Sequence, residues 1–422
     1  MLLTLLEIGS SSTVLVAIAL IIIIGYISTT IFRRTRVPEL LILMLIGIFL
    51  VQVLHAVPTN YLDVLRSLAP VFSSLALIVI MFNGSKELKL GDTALRSRDG
   101  IILGFLDNLL SMIAVSVFMY YVFGWPLLYG AILGAILGET ASIVVIPFIR
   151  KVKLSPNIFG AMFAETTINS ILAISIFSLL LILLNNQSIS ALSFTTYMFD
   201  YISFAVVTGL VAGIGWFFVA DILKGARKYI ATLAVAILLY GFVDIFNGVA
   251  IISVMIFGLI IGNEKALAEM LKIHAQNNQN NKENDAPENA NGSENIQMNE
   301  KAVEKDLEFL ISTFFFVFMG MITILSVQYF IYGLLVSVIL ILVRYLEVRA
   351  VLYKNANEER KLAFALLPRG VTVATLATIL YGLGGIYFIQ TFYISFIVIV
   401  VSSILSSLML NRVSVEVNTS GL

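Results

Sequence analysis

The sequence predicts an all-α polytopic membrane protein of about 13 transmembrane helices, and three observations lead there. Hydrophobic residues make up 59% of the 422 and charged residues 12%. Ordinary soluble domains run near 45–50% apolar and about 25% charged, so a soluble fold of this size could not cover its surface with the polar side chains available. The apolar residues also fall in runs of about 20, the length that crosses a hydrocarbon core. Finally, the basic residues alternate between loops. Odd-numbered loops carry Arg33, Arg34, Arg36, Lys86, Lys89, Arg96, Arg98, Arg150, Lys151, Lys153, Lys224, Arg227, Lys228, Arg349, Lys354, Arg360 and Lys361, and even-numbered loops only Arg66. That alternation places the N-terminus outside and the C-terminus in the cytoplasm.

Taken in order, apolar runs place spans at roughly 12–31, 39–56, 65–83, 100–123, 127–149, 156–184, 197–220, 229–246 and 247–262. The last two are separated only by "DIFNG". Residues 263–306 are Asn- and Glu-rich and almost without aliphatic or aromatic side chains, as in "HAQNNQNNKENDAPENANGSENIQMNEKAVEKD". Such a segment cannot bury enough apolar surface to offset its ordering entropy, which predicts a disordered cytoplasmic linker, either a passive tether or a regulatory segment. Four further spans follow at roughly 307–326, 328–347, 361–382 and 388–410. The expected organisation is a nine-span portion (1–262), a linker (263–306) and a four-span portion (307–422). The start, "MLLTLLEIGSSSTV", lacks the basic region of a cleavable signal peptide.

Composition excludes several functions. Lys+Arg 26 against Asp+Glu 26 leaves no net charge to attract nucleic acid. Without Cys there is no disulfide or thiol chemistry, and two histidines, His55 and His274, cannot build a His-rich metal site. No G-x-S-x-G, H-E-x-x-H or aspartyl dyad occurs in the spans, so neither an enzyme nor a cofactor is expected.

Charges in hydrocarbon cost roughly 2.5–3.5 kcal/mol each on insertion scales, so each needs a partner or a function. Four lie deep: Asp107 in "GFLDNLL", Glu139 in "LGETASIVVIP", Glu165 in "AETTINS" and Arg369 in "LLPRGVTVATLAT". Asp244, Arg344 and Glu347 lie nearer span ends, where side chains reach the interface. Two spans, 127–149 and 361–382, read as interrupted helices, because Gly138 and Pro147 bracket Glu139-Thr140 and Pro368 and Gly370 flank Arg369. Gly/Pro-interrupted spans in matching places of two halves point to a transporter's midplane site. There, Glu139 and Arg369 either neutralise exposed helix ends or, for Glu139, bind the transported ion. In the span 156–184, Glu165, Thr166, Asn169 and Ser170 share one helical face. Their oxygens are hard ligands suited to Na+, K+ or a proton, or else a polar seam between helices.

These motifs, in this order, resemble the monovalent cation/proton antiporter superfamily, specifically its NhaP-like sodium/proton branch. The family's fifth span leads to "VVIP", matched at Val144–Pro147 after Thr140-Ala141-Ser142. "RKVKLSP" follows, and then E-S-x-x-N-D falls on Glu165-Thr166-Thr167-Ile168-Asn169-Ser170. "FVFMG" at 316–320 resembles the family's "FVFLG", Pro368-Arg369-Gly370-Val371 its P-R-G-V, and Asp107 a common aspartate. The resemblance implies an inverted-repeat fold with two crossed unwound helices, a homodimer in the plasma-membrane bilayer and a part in pH homeostasis. Its cargo would be Na+, or Li+ or K+, exchanged for H+ by alternating access at Glu139, Thr140, Glu165, Thr166, Asn169 and Ser170. Arg369 would be a structural charge, paired with Glu165, and Asp107 a secondary candidate. The departures lie at Ser170, where relatives carry the exchanging aspartate, and at Ala141, where they carry that of T-D-P. A serine hydroxyl does not titrate near neutral pH. The replacement carboxylate is therefore Glu139 or Glu165, with Glu139 preferred. The alternative is an uncoupled cation conductor or sensor on the same scaffold.

Overall fold

Apolar runs this long satisfy their backbone groups internally by winding into helices, and among the described residues the protein contains helices and no strand. The structure, a computed structural model, describes residues 39–55, 59–88, 97–149, 154–185, 191–220, 226–267 except 247 and 265, and 290–419, with 19, 21–23 and 25–28. The expected first span, the basic loop at 33–36 and linker residues 268–289 lie wholly or mostly outside these.

Fourteen helices are described: α1 (Glu39–Ile48, continued by a π-helical turn, Phe49–Val53), α2 (Thr59–Lys86), α3 (Arg98–Phe123), α4 (Leu127–Leu137), α5 (Ser142–Ile149), α6 (Pro156–Asn185), α7 (Ala191–Ala220), α8 (Ala226–Ile245), α9 (Ala250–Gly262), α10 (Ala290–Ile322), α11 (Val327–Val351), α12 (Asn357–Ala365), α13 (Val371–Leu383) and α14 (Ile386–Thr419). Seven of them are long and apolar enough to cross a membrane.

Contacts divide the chain into two compact units, one of residues 1–76, 93–187 and 312–422, the other of 77–92 and 188–311. In the first, α3 packs on α4 and α6, and α11 and α13 pack on α14. Helix α3 shows how polarity sorts. Leu109, Ile113 and Val117, four residues apart, form an exposed apolar ridge, while Asp107, Asn108 and Ser111 turn inward and are buried. In the second unit α9 packs on α7 and α8, and Phe257 stacks on Phe82 with centroids 5.7 Å apart.

One boundary differs from the sequence reading. Residues 290–306, expected as linker, are the helical start of α10. Once an apolar span has nucleated a helix, each further residue adds a hydrogen bond at little cost. Two side chains then anchor the extension: Glu304 meets Lys86 Nζ at 2.6 Å, and Glu308, one turn on, accepts from Asn83 Nδ2 at 3.0 Å.

Candidate cation and proton site

Two helix breaks build the site. The chain runs unwound between α4 and α5, at residues 138–141, and between α12 and α13, at 366–370. The breaks cross where the Ala141 N–H donates to the Pro368 carbonyl at 2.8 Å. Glycine is required at the crossing because a Cβ on Gly370 would press into the Cα and Cβ of Ala141. A Cβ on Gly138 would stand 2.9 Å from the Asn108 Cα.

Each break leaves the C-terminal carbonyls of a half-helix unsatisfied, the negative end of its dipole. A guanidinium closes each one. Arg369 Nη1 donates to Gly138 O at 3.1 Å, at the end of α4. Arg344 Nη2 donates to Ala363 O at 2.9 Å and Leu366 O at 3.2 Å, at the end of α12. The backbone N–H of Arg369 is satisfied by Ser402 Oγ on α14 at 3.1 Å.

Arg369 also forms a fork with Asp107, Nη1 to Oδ2 at 3.0 Å and Nη2 to Oδ1 at 3.2 Å. Such bidentate pairs are the strong, geometrically specific kind. Thr140 Oγ1 donates to Asp107 Oδ2 at 3.0 Å, Asn169 Nδ2 to the same oxygen at 3.1 Å, and Ser111 Oγ to Oδ1 at 3.2 Å. The Asn169 amide oxygen in turn accepts from Asn108. Asp107 is therefore fully committed.

Arg344 reaches Glu165 with both terminal nitrogens, Nη2 at 3.2 Å from Oε2, and Nη1 also meets Glu347 Oε1 at 2.7 Å. Glu139 bonds neither arginine among the described contacts, although Arg369 lies within electrostatic range. Ser170 Oγ donates to its Oε1 at 2.8 Å, with the Thr372 hydroxyl in the first turn of α13 beside the carboxyl. Its Oε2 has no hydrogen-bond partner among the described residues, although the residue is 1% exposed.

The family model described as "Sodium/hydrogen exchanger, transmembrane" matches residues 16–415. The chain belongs to the sodium/hydrogen exchanger family. Two solved structures of the sodium proton antiporter MjNhaP1 from Methanocaldococcus jannaschii share its fold. The one at pH 8 has 20% identity and a TM-score of 0.73, over 96% of this chain and 98% of that one. A second, from an electron-microscopy map, has 20% identity and a TM-score of 0.67, over 98% of this chain and 97% of that one. The exchanger family is one of integral membrane transporters, not enzymes, and its class of activity is cation/proton exchange.

In this exchanger the residues singled out from sequence divide among three clusters rather than sharing one, with Thr166 outside them. Thr140 and Asn169 join Asp107 and Arg369, whereas Ser170 joins Glu139. Thr166 bonds back to its own helix, to Met162 O and Phe163 O, each at 3.1 Å. Glu165 pairs with Arg344 and not with Arg369 as expected. That correction follows from depth: Arg344 and Glu347, read as span-end residues reaching an interface, are each 1% exposed. Their signal was present in "LILVRYLEV", an acid and a base at i, i+3 inside an apolar run. Asn108, beside Asp107, and Ser402 carried no distinguishing pattern.

Proposed function

We propose that the chain is a secondary antiporter exchanging Na+, or Li+ or K+ in its place, for H+ by alternating access, with Glu139 as the group that binds either one. The observation that carries this is the sharing of charges in the first unit. Among the described residues, Asp107, Glu165 and Glu347 are each bonded to a guanidinium, and Glu139, equally buried, is not. Guanidinium donors hold both oxygens of Asp107 and Glu165 and one oxygen of Glu347, which leaves fewer lone pairs for a cation, while Glu139 meets no guanidinium and its Oε2 has no partner among the described residues. Ser170 supports the ionised carboxylate as a donor, and its hydroxyl oxygen is a hard ligand for an alkali cation. A proton and a cation then compete for one carboxylate, which couples the two fluxes and makes exchange 1:1 and electroneutral. Asp107, Thr140, Asn169 and Arg369 hold the crossing against which the site opens to either side. The alternation of Lys and Arg between loops supports an external N-terminus and a cytoplasmic C-terminus. The resemblance to the antiporters supports a homodimer in the plasma membrane.

Vesicles bearing an imposed pH gradient test the reading. Addition of Na+, Li+ or K+ is expected to collapse the gradient. Cation entry without proton movement would instead favour the uncoupled conductor, and neither flux the sensor.

A further inference from the structure

Beyond the Glu139–Ser170 pair, the buried charges of the first unit do not balance. Arg369 is matched by Asp107. Arg344 is shared, its Nη1 bonding both Glu165 and Glu347. Three carboxylates, Asp107, Glu165 and Glu347, have oxygens within 4.8 Å of one another and face two guanidiniums. A second observation singles out one of them. Glu347 is 1% exposed and its Oε2 has no hydrogen-bond partner among the described residues. An ionised carboxylate buried in this way needs donors on both oxygens, whereas a carboxylic acid needs fewer.

Among the described residues, the surroundings bring no further positive charge against Glu347. The charged groups facing Glu347 are Arg344 on its own helix, Glu165 on α6 and Asp107 on α3. Helix α12 buries none of Glu358, Glu359, Arg360 or Lys361. From α14 come the buried hydroxyls Ser402, Ser403 and Ser406, and its one buried titratable side chain among the described residues, Tyr393, packs against Tyr329 and Tyr381. A metal ion bound by these carboxylates would have to displace Arg344, which already bridges two of them. A proton needs no such room.

We propose that Glu347 carries an exchangeable proton, which makes the Glu165–Arg344–Glu347 cluster a proton-binding site separate from Glu139. Release breaks the O–H bond, leaves the electron pair on Oε2 and passes the proton to solvent. Two anions then compete for one guanidinium that also holds Ala363 O and Leu366 O, the carbonyls where α12 gives way to the break. Glu347 is thus a positioning residue, and its protonation sets how firmly Arg344 holds the second break.

Infrared difference spectroscopy across pH steps, on the full chain in lipid, tests this in a Glu139→Gln background, where Glu139 cannot contribute. The carbonyl stretch of a protonated carboxyl is expected there, and Glu347→Gln should remove it. Absence of the band, or its survival in E347Q, overturns the proposal. Thermal unfolding gives a second reading. A native state that keeps a proton its unfolded chain has released loses stability as pH rises, about tenfold in the unfolding equilibrium per pH unit for one proton. Wild type is expected to show that slope relative to E347Q above about pH 5, where unfolded glutamate is ionised. A pH-independent difference, or an E347Q protein that folds at no pH, contradicts it, since Gln preserves the neutral form. Both readings stand or fall independently of whether Glu139 is the exchanging group.

Discussion

Ser170 donates to Glu139 at 2.8 Å, and the proposed exchange places cation and proton on this pair. A hydrogen bond to a charged group contributes about 1.5–3 kcal/mol. Ser170→Ala is therefore expected to raise the cation concentration at half-maximal exchange roughly tenfold to hundredfold, read as cation-dependent proton flux in vesicles, and an unchanged value would separate Ser170 from the site. The sequence made Glu139, Glu165, Asn169 and Ser170 conspicuous, because polar groups in an apolar run need a reason. It did not show which acid meets which base. Pairing depends on how three helices and two breaks converge, and residues far apart along the chain, such as Glu165 and Arg344, meet only through that packing. Arg344 and Glu347 are buried for a related reason: position near a span's end does not fix depth when neighbouring helices cover it.

Each break is held by a close approach and a guanidinium. Gly370→Ala is expected to destabilise the protein by about 1–3 kcal/mol, the usual cost of overpacking, through collision with Ala141. Ala141→Gly in the same chain should recover part of that loss, and thermal unfolding of the single and double variants measures the coupling. Arg344→Met removes a cation from between Glu165 and Glu347 and leaves the Ala363 and Leu366 carbonyls without their donor. Breaking a buried pair from one side costs about 3–5 kcal/mol, so this variant should unfold at much lower temperature than wild type. Both breaks were legible because glycine and proline beside a charge in an apolar run have few other uses. The start of α10 was not legible, since "AVEKD" looks polar until Lys86 and Asn83 are placed beside Glu304 and Glu308.

For the whole molecule, composition and spacing made the helical membrane fold readable, and the family match over residues 16–415 places it among sodium/hydrogen exchangers. By the resemblance drawn from the sequence, the position of the exchanging aspartate falls on Ser170 of α6, and Glu139, which bonds no guanidinium among the described residues, stands in the break one hydrogen bond away. The central claim, that exchange runs through this one displaced carboxylate, is tested most directly by cation-driven proton flux in vesicles bearing wild type, Glu139→Gln, and Glu139→Gln combined with Ser170→Asp. Flux should vanish in E139Q and return, with an altered pH profile, when the aspartate is added. Flux at the wild-type rate in E139Q would contradict the account.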